Sequence, residues 1–546
     1  MIKLFFILFF IYISLIGYSL FFKSIVLSNK EYKFYNLDIF YGIFVTVLIA
    51  IILNFFIPLV FLGYFFVPVG LFFLIFLRKK YLFENNFLIF SLILFFFIFI
   101  SYSNGSHLAG DTPYYHLQTI KWSSNYKISF GLANLEPRYG MNSLWHILIS
   151  IFNIPIFNVN PIYHFNLIIY AITFNEIFNK KNYDTKKISF GYLYLTLSFF
   201  LIYSYIHPMI NGTIFLNLGS PEVDTISMLL FILSGFLFIK VEKSNDESDI
   251  SILLILTTLC YLTKLSYVVS ILFILFLLIN KKSLLKIKII PYIILINIIW
   301  VMRNFFISGC GIFPFKFTCL NFSWTYDLSK IEIFSKIIRS FSRDTPLRAK
   351  YMDFNYTLET FDWLVPWFKT YFLETSLLII CSLIALISFL FFILYELFFK
   401  KIELSKSFYL FFIICFLSIC LWFQAPEIRF GYGYIISFSI LLFLTVFNVF
   451  NKKFNFINKI TLNLVMVVLI SANFYKNYNN INKINSDIEH KFNYKNFILI
   501  SENNNFNFFK PPSSFSCGFF SEICVYADEK YIVSSKFNYL TFKRIK

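Results

Sequence analysis

Carboxylates and cations recur in this sequence at the borders of long apolar runs. Asp111, His116, Glu136, Arg138 and Asn142 share one polar stretch. Glu222 and Asp224 open a later apolar run, Lys264 sits in a tight turn, Arg303 ends another run, and Glu427 and Arg429 occupy a short turn. Ionisable groups beside a bilayer are costly, so the places where they gather are informative. A carboxylate can deprotonate an acceptor hydroxyl while Arg and Lys hold a lipid-linked phosphate leaving group. The candidate catalytic residues are therefore Asp111, His116 and Asp224. The candidate substrate-binding residues are Arg138, Asn142, Lys264, Arg303, Glu427 and Arg429.

Each residue also has a structural reading. Asp is a common helix N-cap, but Pro113 favours the first helical position, which makes Thr112 the cap and leaves the Asp111 carboxylate less committed. His116, one turn further on, could orient a carboxylate or extend to the interface. Ser220-Pro221-Glu222 reads as an ordinary helix start, with acid in the first turn, and Asp224 lies deeper. Lys and Arg at helix ends extend to headgroups by default. Lys264 and Arg429 depart from that background, because the short connections on their side are otherwise nearly free of basic residues.

The elements that must position these groups are membrane spans. The chain has 546 residues, 58% hydrophobic and 14% charged, with a mean hydropathy of +0.72. Soluble domains carry about a quarter charged residues. The net charge of +18 would point to nucleic acid in a soluble protein, but here its placement sets topology and excludes that partner. Apolar runs at 2–22, 39–56, 59–77, 86–103, 160–178, 188–206, 222–240, 250–263, 266–280, 288–307, 373–399, 407–424, 432–450 and 457–475 predict about 14 spanning helices. Alternate connections carry the Lys and Arg, among them Lys23/Lys30/Lys33, Arg78/Lys79/Lys80, Lys240/Lys243 and Lys452/Lys453/Lys459. The positive-inside rule places these in the cytoplasm and both termini outside. Residues 144–157 are too short to span and read as a re-entrant or interfacial segment above the bundle. In 308–372, Trp324, Trp363 and Trp367 suggest helices lying in the interface plane. The last stretch reads as a polar, Asn-rich tail or small domain. Cys517 and Cys524 could form a disulfide there, and Cys310 and Cys319 another. Cys260, Cys381, Cys415 and Cys420 fall in apolar runs. The resulting division is 1–103, 104–158 (first large outer loop), 159–307, 308–372 (second large outer loop), 373–475 and 476–546.

Two blocks then resemble a family. Asp111-Thr-Pro-Tyr-Tyr-His-Leu-Gln-Thr-Ile-Lys-Trp122 and Gly131-Leu-Ala-Asn-Leu-Glu-Pro-Arg-Tyr-Gly-Met-Asn-Ser-Leu-Trp145 resemble an uncharacterised family of bacterial polytopic membrane proteins. That family often reads D-T-G-L-Y-H-x-Q-x-I-K-W and G-L-A-N-L-H-x-R-x-G-x-N-S-x-W. Gly219-Ser-Pro-Glu-Val-Asp224, Thr263-Lys-Leu-Ser266, Trp300-Val-Met-Arg-Asn304 and Ala425-Pro-Glu-Ile-Arg-Phe-Gly431 look similar as well. Pro113-Tyr114 and Glu136 depart from the pattern. More distantly, the family resembles the GT-C class of membrane glycosyltransferases. These use polyprenyl-phosphate-linked sugars on the outer face and an essential acid in the first large outer loop, the kind of place Asp111 occupies.

The resemblance implies an all-α, polytopic, GT-C-like protein of the bacterial inner membrane. The implied activity moves a sugar from a polyprenyl-phosphate-linked donor to a cell-envelope glycan or lipid acceptor. A divalent metal is compatible with that chemistry, and nothing in the sequence specifies one. An O-antigen or capsule polymerase and a lipid-linked glycan flippase are the alternatives. Rim charges and large asymmetric outer loops favour an enzyme over a transporter, whose ionisable groups gather near the midplane.

Overall fold

The computed structural model describes residues 1–27, 32–83, 87–104, 111–156, 159–178, 188–206, 218–242, 246–280, 287–344, 350, 352–374, 383–384, 387, 405–454, 459–478, 497–503, 506–511, 517, 523–526, 531–536 and 539–544. Nearly every apolar run there folds as a helix, since continuous apolar sequence leaves the backbone to satisfy its own hydrogen bonds. The first helices are α1 (Ile2–Val26), α2 (Ile39–Leu53), α3 (Val60–Leu77) and α4 (Phe87–Asn104). Next come α5 (Leu117–Asn125), α6 (Leu144–Ser150), α7 (Asn166–Asn175) and α8 (Ile188–Ile206). They are followed by α9 (Asp224–Val241), α10 (Glu247–Thr263), α11 (Ile271–Asn280), α12 (Ile290–Ser308), α13 (Leu328–Arg343) and α14 (Leu364–Glu374). The later helices are Lys406–Trp422, Ile428–Phe454 and Lys459–Tyr478. Among the described residues, six helices are long and apolar enough to cross a membrane. Cys381 and most of the run 373–399 lie outside the described residues.

Helices of this kind gain little from burying apolar surface against one another, so close packing and hydrogen bonds hold them. At the crossing of α1 and α3, a Cβ on Gly17 would lie 1.8 Å from the Gly70 carbonyl oxygen, so the backbones touch. At one end of the bundle a buried polar network ties five helices. Lys23 pairs with Asp38 at 2.7 Å, Ser248 donates to Asp38 at 3.1 Å, Asn36 donates to Glu176 at 2.8 Å, and Lys240 pairs with Asp249 at 3.0 Å. At the opposite end α2, α10 and α12 finish while α9 and the helix Ile428–Phe454 begin. The candidate residues cluster there.

Three elements take a more definite form than the sequence specifies. The segment 144–157 supplies α6, whose seven residues are all buried, packed against α2, α5 and α10. Trp363 and Trp367 are buried. Trp367 packs on Trp422 and Phe423, and its indole N–H donates to the Pro426 carbonyl at 3.1 Å. The polar C-terminal stretch contains strands. Residues Ile498–Asn503, Phe506–Lys510 and Ile523–Cys524 form one small sheet, and Tyr531–Lys536 pairs with Tyr539–Arg544 as an antiparallel hairpin. This module docks on the first large loop. Phe130 N–H donates to Leu540 and Phe542 N–H returns to Phe130, each at 2.8 Å. Gly131, at φ 66°, passes so close that a Cβ would sit 2.4 Å from the Phe542 carbonyl oxygen, an approach and a φ that favour glycine. Cys517–Cys524 and Cys310–Cys319 are both disulfides.

Candidate functional site

Four segments remote in sequence converge where the helices end. The first begins at Asp111 and continues as a wide helical turn, Thr112–His116, into α5. The Thr112 hydroxyl bonds the Ser220 hydroxyl and donates to Glu222 at 3.4 Å. That hooks the first segment to the second, Ser220-Pro-Glu-Val-Asp224. Asn166 anchors the second segment, donating to the carbonyls of Ser220 and Glu222 at 2.9 Å each while accepting from Trp145 at 2.7 Å. With Glu222 held in this extended stretch, α9 starts at Asp224, which occupies the first turn, a favourable place for a carboxylate.

Lys264 is the residue after α10 and forms an ion pair with Asp224. Its ammonium also lies 4.0 Å from the Phe430 ring centre. The fourth segment is the turn before the helix Ile428–Phe454. Trp422 donates to the Glu427 carbonyl at 2.7 Å, Trp367 to Pro426, and Arg343 to Gln424 at 3.2 Å. The second large loop therefore fixes this turn. Arg429 pairs with Asp111 at 2.7 Å and lies 3.8 Å from Asp224 and 3.7 Å from Glu427. Asp111, Asp224, Lys264, Glu427 and Arg429 thus form one cluster of three carboxylates and two cations. Arg429 Nε and Glu427 Oε2 are buried without a hydrogen-bond partner among the described residues.

Burial raises the Asp111 carboxyl, but the Arg429 and Arg138 guanidiniums outweigh it and hold the group below the usual carboxylate range. Asp111 is thus ionised at neutral pH. Burial drives His116 down to about 3, against the pull of Asp111, so the imidazole is neutral. His116 Nδ1 lies 2.9 Å from His146 Nε2, the second ring coming from α6. Arg138 pairs with Glu136 at 2.9 Å and stacks 4.7 Å from the Tyr114 ring centre. Burial opposes its charge, yet Glu136 and the nearby tyrosines hold it firmly protonated.

Asn142 and Arg303 form a neighbouring cluster of their own. Arg303 donates to the side chains of Asn142, of Asn54 at 3.3 Å and of Ser123 at 3.0 Å. Trp300 donates to the Asn142 carbonyl at 2.7 Å. Arg303 thus ties the ends of α2, α5 and α12 to the first large loop. His146, Asn54 and Ser123 escaped the sequence reading, since buried polar side chains acquire meaning only from partners far along the chain. A His inside the short apolar run at 144–150 was the one available signal. Among the described residues there is no group of three or more His, Cys, Asp or Glu able to hold a metal ion.

This architecture defines a predominantly helical protein with long apolar helices and an ion-paired cluster of acids and bases at their ends. The chain belongs to the family described as Domain of unknown function (DUF8201), whose model matches residues 1–436. Neither the curated proteins nor the solved structures contain a match to it.

Proposed function

We propose that this protein is a GT-C-like membrane glycosyltransferase with about 14 spans, residing in a bacterial inner membrane with both termini outside. It would move a sugar from a polyprenyl-phosphate donor to an envelope glycan or lipid on the extracytoplasmic face. The observation that carries this reading is the meeting of Asp111, Asp224, Lys264, Glu427 and Arg429 at one end of the bundle. The opposite end holds Lys23 and Lys240, which belong to the basic, cytoplasmic connections.

In the proposed step the acceptor hydroxyl binds to the Asp111 carboxylate and attacks the anomeric carbon. The bond from that carbon to the phosphate oxygen breaks as the new glycosidic bond forms, and the hydroxyl proton passes to Asp111. A carboxylate held below its usual range is a weak base, so it takes the proton late, after the attacking oxygen has become acidic. Polyprenyl phosphate leaves with its charge on Arg429, Lys264 and Arg138. Arg429 has a buried N–H to offer, and turning toward the phosphate would loosen its hold on Asp111. Glu427 and Asp224 keep the two cations oriented. His116 and Asn142 would arrange the site, and Arg303 would support it from behind.

The test compares surface glycans of a deletion strain carrying wild-type or Asp111→Asn protein at matched membrane abundance. Loss of one sugar or glycan species in the variant is the expected result. Unchanged glycans would move transport or scaffolding ahead of transfer.

A further inference from the structure

The C-terminal strand module reaches the catalytic segment itself. The Tyr526 hydroxyl donates to the Tyr114 carbonyl at 2.9 Å, and Tyr114 lies in the same wide turn that Asp111 opens. The two rings stack with centres 4.2 Å apart, tilted by 21°. The Arg138 guanidinium lies 4.7 Å from the centre of the Tyr114 ring. Tyr114 therefore meets both a cation of the first loop and an aromatic ring of the C-terminal module, both favourable contacts. Tyr526 is fixed in turn, because its hydroxyl accepts from the Cys517 N–H at 2.9 Å and Cys517 is bonded to Cys524. Gln118, one turn past Tyr114, donates to the Cys517 carbonyl at 3.4 Å.

We infer that Tyr526 is a positioning residue for Asp111, and that the disulfide-closed strand module forms one wall of the site. The role of Asp111 in that statement rests on the function proposed above. The dock is a packed joint rather than a loose contact. Phe508, Val525, Val533 and Phe542 of the module share a buried apolar cluster with Trp122 and Leu132 of the first loop. The family match ends at residue 436, so this wall lies outside it.

Two readouts on the full-length protein test the inference. In the first, Asp111→Cys is labelled in intact cells by a membrane-impermeant maleimide, with and without Tyr526→Ala, and the signal of the same proteins lacking Asp111→Cys is subtracted. If Tyr526 holds the turn, its loss raises the labelling rate severalfold. Equal rates would overturn the inference whether or not the protein is a transferase. In the second, Tyr526→Ala is expected to lower the Asp111-dependent glycan per unit of membrane protein on the order of tenfold or more. Tyr526→Phe, which keeps the stack and loses the hydroxyl, should cost about fivefold. A Tyr526→Ala protein that makes the full amount where Asp111→Asn makes none would also overturn it. If Asp111→Asn itself changes nothing, the transferase reading fails, and the labelling result still decides whether Tyr526 positions the turn.

Discussion

Arg429 and Asp111 pair across 2.7 Å, joining the first large loop to a turn that the second large loop holds in place. The guanidinium also lies within 4 Å of Asp224 and Glu427, so one cation separates three carboxylates. Without it, like charges would face one another in a partly buried setting.

Arg429→Gln should therefore lower stability by about 2–3 kcal/mol, less than for a fully buried pair because the Asp111 side chain is 28% exposed. Thermal unfolding of detergent-solubilised protein measures this. Adding Asp111→Asn to the same chain should recover part of the loss, since it removes one of the unpaired charges. A double variant no more stable than the single one would argue that the pair is not coupled.

The charge states set the pH response. The carboxyl of Asp111 is lowered, so its contribution is present above the ordinary carboxylate range and is lost as pH falls through the lowered value. His116 is pushed down to about 3 and stays neutral above that. Glycan formation by intact cells should then show no break between about pH 5 and 7 from the imidazole. A break near the ordinary histidine value that disappears in His116→Gln would contradict this environment.

Arg303 should behave as a structural residue. Arg303→Ala strands the acceptors on Asn142, Asn54 and Ser123 and should cost about 3 kcal/mol. Membrane abundance is expected to fall, with product per surviving molecule near wild type. A normally abundant Arg303→Ala protein that makes no product would instead place this guanidinium on the substrate.

At the far end, Lys23→Met leaves the fully buried Asp38 carboxylate without its cation. Removing one partner of such a pair costs about 3–5 kcal/mol. Lys23→Met with Asp38→Leu should be much less damaging. Pulse-chase lifetimes of the three proteins distinguish these cases, and equal lifetimes for both variants would count against the pairing.

The helices were legible because an apolar run long enough to span leaves few structural options. The clustering of Asp111, Asp224, Lys264, Glu427 and Arg429 was legible for a related reason, since charges beside apolar runs have few places to go. Other features depended on distant partners. Trp363 and Trp367 matched an interfacial pattern, but packing on Trp422 and Phe423 buried them. The alternation in Tyr531-Ile-Val-Ser-Ser-Lys536 was hidden by its Asn-rich, polar surroundings, so strands went unread. Tyr526 and Tyr114 meet from opposite ends of the chain, and neither carries a local sign of the contact.

The most direct test of the central claim is mass spectrometry of polyprenyl-linked sugars together with envelope glycans in cells whose only copy is Asp111→Asn at wild-type abundance. The account predicts that one polyprenyl-phosphate sugar accumulates while the corresponding residue disappears from the glycan. Donor and glycan both at wild-type levels would contradict it.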